Sequence, residues 1–206
     1  MRPSIRAFLA AVFATTGALG CGDAAFGTAR VLATDGIGIR SLAVDDFYVY
    51  WSTTSGSVKR VVRDGGDAET IATGQDLPSH LTVDRYGDHV YWTTGDNLVV
   101  RAPKDGSAER TIVHVQEAEL QGLSVDDSHI YWTAGNGGAG TLERAAKADL
   151  LRETVVSDIQ NPRAVQATGT RVLWLDQGPQ ADSEADEGTI MFVTTCLLYT
   201  SPSPRD

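Results

Sequence analysis

Cysteine is almost absent from this chain: Cys21 and Cys196 are the only two, and they lie near opposite ends. A disulfide framework is therefore excluded as the source of stability. Cations are also scarce, with 17 Lys and Arg against 27 Asp and Glu and a formal net charge of -10. No basic run and no aromatic–basic interleaving occurs, which argues against a nucleic-acid partner, since phosphate backbones are met by clustered Lys and Arg. Long helical stretches with a 3.6-residue apolar period are missing. Histidine is sparse at four, and no Ser/His/Asp order, HExxH or Cys/His metal spacing is present. The sequence therefore assigns no catalytic, cofactor-binding or metal residue, and implies no cofactor.

Residues 1–20 read as a signal peptide. Arg2 and Arg6 charge its start, and the small apolar segment that follows is too short to span a bilayer. The segment ends Ala18-Leu19-Gly20-Cys21, which resembles a bacterial lipobox. That resemblance implies acylation of Cys21, an exported chain on the periplasmic or cell-surface side, and a membrane partner reached through the lipid. Residues 21–29 then form a short tether.

All four tryptophans occupy one position of an internal repeat: Trp51, Trp92, Trp132 and Trp174. Tyrosine precedes the first three, and Leu173 precedes the fourth. Each unit enters through Leu42-Ala-Val-Asp45, Leu81-Thr-Val-Asp84 or Leu123-Ser-Val-Asp126; the fourth, Ala164-Val-Gln-Ala167, has drifted. Gly-containing turns then separate short runs of β-branched or alternating character. Four strands in about 40 residues is the spacing of a propeller blade. The expected fold is all-β, a partial β-propeller over residues 30–195 with blade cores around the four tryptophans.

Tyr50-Trp-Ser-Thr53, Tyr91-Trp-Thr-Thr94 and Tyr131-Trp-Thr-Ala134 resemble YWTD repeats, as found in TolB-like exported proteins. The resemblance implies six four-stranded blades, of which four are present, so the end blades should carry uncovered faces. The tetrad's final Asp is missing in every copy on this reading, so the turn bond it makes is not expected. Residues 196–206, Cys-Leu-Leu-Tyr-Thr-Ser-Pro-Ser-Pro-Arg-Asp, break the pattern and resemble one reading frame of a transposon-end sequencing adapter. The genuine chain is expected to end near Thr195.

Few residues suggest chemistry. His89 and His129 share a repeat position with Tyr48 and Arg171, which marks a structural role. His114 sits in a closing strand with no partner in view. His80 is unique to its blade, in a loop entering an inner strand. Asp45, Asp84 and Asp126 recur as turn formers. The acidic loop Asp182-Ser-Glu-Ala-Asp-Glu187 reads as solvated rather than as a calcium site. Gly135 to Gly140 reads as a flexible turn, with no helix N-terminus to hold a phosphate. The inner-strand starts offer Ser41, His80, Gly122 and Arg163, a poor cation set. A cell-envelope binding or scaffold propeller with a protein or carbohydrate ligand is the expected function. A calcium-dependent lactonase-like hydrolase is the alternative.

Overall fold

A computed structural model describes residues 29–34, 38–108, 110–115, 117–135, 138–178 and 188–195. The chain divides into two compact units, residues 1–30 and 31–206, and every described strand lies in the second. The signal peptide, Cys21, the acidic loop at 182–187 and the tail from Cys196 fall outside the described residues.

Four antiparallel sheets follow one another along the chain. Blade 1 holds β1 (Ile39–Val44), β2 (Tyr48–Thr53), β3 (Val58–Val62) and β4 (Glu69–Ala72). Blade 2 holds β5 (Ser79–Val83), β6 (His89–Thr93), β7 (Leu98–Pro103) and β8 (Thr111–Val115). Blade 3 holds β9 (Leu120–Val125), β10 (His129–Ala134), β11 (Gly140–Ala146) and β12 (Arg152–Ile159). Blade 4 shows β13 (Pro162–Ala167), β14 (Arg171–Asp176) and β15 (Thr189–Thr194) among the described residues. The first strands β1, β5, β9 and β13 pack side by side in succession and form the inner layer. This is a propeller with four blades described.

The Tyr-Trp pair explains how blades join. Successive side chains of a strand point to opposite faces. Tyr50 therefore faces forward into a cluster with Leu81, Val90 and Trp92 of blade 2. Tyr91 meets Leu123, Ile130 and Trp132 of blade 3. Tyr131 meets Val165, Val172 and Trp174 of blade 4. Each interface thus joins the tyrosine face of one blade to the tryptophan face of the next. Trp92 and Trp132 are fully buried, and each such side chain is worth about 4–6 kcal/mol of transfer free energy.

Glycine is required where inner strands approach most closely. A Cβ on Gly122 would lie 2.9 Å from Val165 N and 3.0 Å from Ala164 Cα, which are backbone atoms of β13. The end blades are less well covered. Leu42 and Val44 of blade 1 are 61% and 49% exposed, although Trp51 and Val61 of that blade are buried. Ile190 and Phe192 of blade 4 are 72% and 56% exposed.

Two sequence readings need correction. Trp51 pairs with Leu42, and Trp174 pairs with Val165, so the fourth repeat is Val165-Gln-Ala-Thr168, one residue later than the sequence alignment placed it. Thr168 stands in the aspartate position. Its N–H donates to Arg171 O at 2.8 Å, as Asp45 N donates to Tyr48 O at 3.1 Å. The tetrad's final Asp is also present once, as Asp176, whose Oδ1 accepts Gly178 N–H at 2.9 Å and Asn161 N–H at 3.2 Å. In blades 1 and 2 a threonine replaces it and makes the turn bond itself. Thr53 Oγ1 accepts Ser57 N–H at 3.1 Å, and Thr94 Oγ1 accepts Leu98 N–H at 3.0 Å.

Candidate functional site

Two ends of the inner layer carry polar clusters, and their chemistry differs. The end reached where inner strands finish is a set of staples. Asp45 Oδ1 accepts the N–H groups of Phe47 at 3.0 Å and Tyr48 at 2.8 Å, closing the turn to β2. Its Oδ2 accepts Tyr50 Oη at 2.9 Å and pairs with Lys104 Nζ of blade 2 at 2.9 Å. Asp84 likewise takes Gly87 N–H at 3.0 Å and Lys147 Nζ of blade 3 at 2.5 Å. Asp126 accepts Tyr131 Oη at 2.9 Å and His129 N–H at 2.8 Å. The position matching Lys104 and Lys147 is Thr195 in blade 4, whose hydroxyl donates to Gly169 O at 2.8 Å.

Burial opposes the Asp45 carboxylate, yet Lys104 and its three further donors together hold its pKa below the ordinary value. Burial and the adjoining aspartate push the Tyr50 and Tyr131 phenols far up. Tyr91 is pushed up to about 12 by burial, then by Asp84. Asp45 and Asp84 tie blade to blade, whereas Asp126 bonds Ser128, His129 and Tyr131 within its own blade.

The other end, where inner strands begin, is built differently. Each inner strand breaks register near its start: between Ile39 and Ser41, Ser79 and Thr82, Leu120 and Gly122, and Pro162 and Val165. A bulge re-aims the extra side chain. The residues in and beside these breaks are Arg40, Ser79, Gln121 and Arg163. They join into two pairs: Arg40 Nε donates to Ser79 Oγ at 3.1 Å, and Arg163 Nη1 donates to Gln121 Oε1 at 2.6 Å. Arg163 Nε also donates to Gln177 Oε1 at 2.8 Å. The result is a polar band on the inner strands in which two guanidinium groups donate to Ser79, Gln121 and Gln177.

His80 lies in this band with a left-handed backbone, φ +43°. Strain of that kind in a non-glycine residue gathers at functional sites. Its Nδ1 is 2.8 Å from Thr93 Oγ1. Burial first, then the Arg40 charge, lower its pKa, against an opposing pull from Glu119. The ring is thus neutral near neutral pH. Ser41 and Gly122, the other expected inner residues, do not join the band. Ser41 Oγ accepts Leu81 N–H of blade 2 at 2.8 Å, and Gly122 is filled against β13.

The remaining histidines find structural places. His89 and His129 tilt against Tyr91 and Tyr131, with ring centroids 6.2 and 5.9 Å apart. His114, expected to have no partner, stacks on Trp132 at 5.4 Å and lies 3.2 Å from Arg152 Nη1. That contact leads to Glu143, a buried carboxylate paired with Arg152 Nε at 3.4 Å, which the sequence reading missed. Arg40 and Gln121 were missed as well. No group of three or more His, Cys, Asp or Glu suited to a metal occurs among the described residues.

The fold and the two ends define a propeller, and structural comparison agrees. A TolB-type protein from Agrobacterium tumefaciens matches with TM-score 0.64 and 10% identity, covering 80% of this chain and 61% of that one. A chain of a nidogen/laminin complex matches with TM-score 0.53 and 20% identity, covering 68% and 72%. An oligogalacturonate lyase solved with manganese matches with TM-score 0.54 and 10% identity, covering 71% and 46%. At these identities the likeness is one of fold. No family model and no curated protein matches the sequence.

Proposed function

We propose that this chain is an exported binding module, held to a bacterial membrane by a lipid on Cys21, whose ligand is engaged at the inner-strand starts. The observation that carries the reading is the pair of guanidinium groups, Arg40 and Arg163, held on the inner strands by Ser79 and Gln121. Guanidinium groups present fixed forks of N–H donors that match carboxylate geometry. A carboxylate-bearing ligand, on carbohydrate or on a protein surface, fits that band. Because the band sits on strands rather than on loops, it is preorganised, which lowers the ordering cost of binding.

The test is direct binding by the full chain to two probes, polygalacturonate and a glutamate-rich peptide. The expected result is salt-sensitive binding of at least one probe, weakened about tenfold by Arg163→Ala, as for loss of one charge-assisted contact. Equal affinity of parent and variant, or chelator-sensitive hydrolysis of a lactone or ester, overturns the reading. The anchor is checked separately: Cys21→Ser should move the protein out of the membrane fraction.

A further inference from the structure

The tryptophans give the inner strands a common count. Leu42 pairs with Trp51, Leu123 with Trp132 and Val165 with Trp174. Leu81 holds the same place in blade 2, just before Thr82, which pairs with Tyr91. Two residues before this place stand Arg40, Ser79, Gln121 and Arg163, the polar band. One residue before it stand Ser41, His80, Gly122 and Ala164. Three of these four are small, and Ser41 already accepts Leu81 N–H. His80 alone at this level carries a long side chain, and one that titrates near neutral pH.

The backbone aims that ring away from the ordinary alternation of the strand. His80 lies in the break between Ser79 and Thr82, with φ +43°, a conformation that a non-glycine residue adopts only under strain. The preceding residue, Ser79, accepts Arg40 Nε–H at 3.1 Å, which brings a guanidinium beside the imidazole. Nδ1 is 2.8 Å from Thr93 Oγ1, so Nε2 is the nitrogen left for a further partner. Among the described residues, the charges acting on the ring are Arg40 of β1 and Glu119 at the entry to β9, while β2 and β6 bring none. Burial first, then Arg40, hold the free ring neutral, and Glu119 pulls the other way.

We propose that His80 is a third ligand-binding group of the band: a ligand carboxylate held by Arg40 also takes an N–H from His80 Nε2, and the ring gains a proton as the ligand arrives. The inference rests on the reading that the band binds an anion, and adds how that binding responds to pH. An incoming carboxylate offsets the Arg40 charge that disfavours the imidazolium and supplies an acceptor for its second N–H. Thr93 does not oppose the change, because a hydroxyl can accept from Nδ1–H or donate to a bare Nδ1. The ring therefore holds its proton to higher pH in the complex than in the free chain. Affinity is then flat at high pH, climbs as pH falls through the bound-state pKa, and levels off below the free-state pKa. Guanidinium groups alone give no such slope, since they stay charged throughout.

The test is a binding titration of the full chain with polygalacturonate and with the glutamate-rich peptide, at steps between about pH 8 and pH 5.5, where carboxylates stay ionised. Tryptophan fluorescence at each step checks that the chain is folded. Affinity about fivefold or more tighter at the acid end is the expected result. His80→Gln should remove that rise, whatever its affinity at the alkaline end. Glu119→Gln, which deletes the charge favouring the imidazolium, should move the rise to lower pH. A magnetic-resonance titration gives a second readout: the His80 ring should titrate at higher pH with probe bound than without it. Binding with a flat profile, a slope that survives His80→Gln, or a ring whose titration the probe leaves unchanged overturns this inference alone. Binding of neither probe at any pH overturns the anion-binding reading and this inference with it.

Discussion

Blades 1 to 3 and blade 4 share one backbone plan but are stapled differently. In the first three, a tyrosine pairs across the sheet with an arginine: Tyr50 with Arg60, Tyr91 with Arg101, Tyr131 with Arg144. In blade 4 the same two places hold Leu173 and Phe192. The aspartate becomes Thr168 and the cross-blade lysine becomes Thr195. The whole polar set is replaced together, yet the three strands pair in register. What both regions keep is the buried tryptophan. The difference teaches that the tryptophan wedge makes the blade, while the aspartate staple adds rigidity and specificity of docking.

The largest effect should come from the shared part. Trp132→Ala should cost about 3–5 kcal/mol in chemical unfolding, because its site is fully enclosed. Trp132→Phe should cost much less, since the indole N–H has no hydrogen-bond partner and its removal loses nothing polar. An alanine variant as stable as the parent would break the comparison. Next comes the staple. Asp45→Ala strands a mostly buried Lys104 and should cost about 2–3 kcal/mol. Thr168→Ala removes one hydroxyl bond and should cost about 1 kcal/mol. Equal losses at the two positions would show that blade 4 relies on its turn as much as blade 1 does.

Acid should separate the regions further. His80, His89 and His129 all have lowered pKa values, chiefly from burial. The unfolded chain then binds protons that the folded chain resists, so stability falls as pH drops below about 6.5. Asp45, also lowered, adds a second loss below about pH 4 as pH falls through its folded pKa. All of these groups lie in blades 1 to 3. Hydrogen exchange on lowering the pH from 7 to 5 should therefore accelerate more in β5, β6 and β10 than in β14; uniform acceleration would contradict the assignment. The smallest effect is at His80. His80→Gly relieves the left-handed backbone and should stabilise by about 0.5–1 kcal/mol, offset by loss of the Thr93 bond.

The fold was legible because its signal is carried by single residues at a fixed spacing. Trp51, Trp92, Trp132 and Trp174 each mark a second strand, and their tyrosine neighbours show that both faces are covered. Blade 4 was aligned one residue early because its turn uses Thr168, and a threonine does not announce a turn as aspartate does. Asp176 was overlooked in the same blade, since the residues before it no longer spell the motif. The polar band was legible only in part: Arg163 and His80 were placed at inner-strand starts, but Arg40, Ser79 and Gln121 were not. Arg40, Gln121 and Arg163 are gathered by register breaks in the inner strands, and such breaks exist only in strand pairing. His114 and Glu143 belong to different blades, so only packing could reveal their link through Arg152.

The adjacent tyrosine and tryptophan have a further consequence. Because one looks forward and its neighbour backward, every sheet has a head and a tail, and every junction uses the same pair of surfaces. A gene for such a chain can gain or lose one unit by duplication or deletion without inventing a new contact. Length can then vary while each junction stays chemically familiar, and selection is left to act on what differs between units, which is the rim where the inner strands begin.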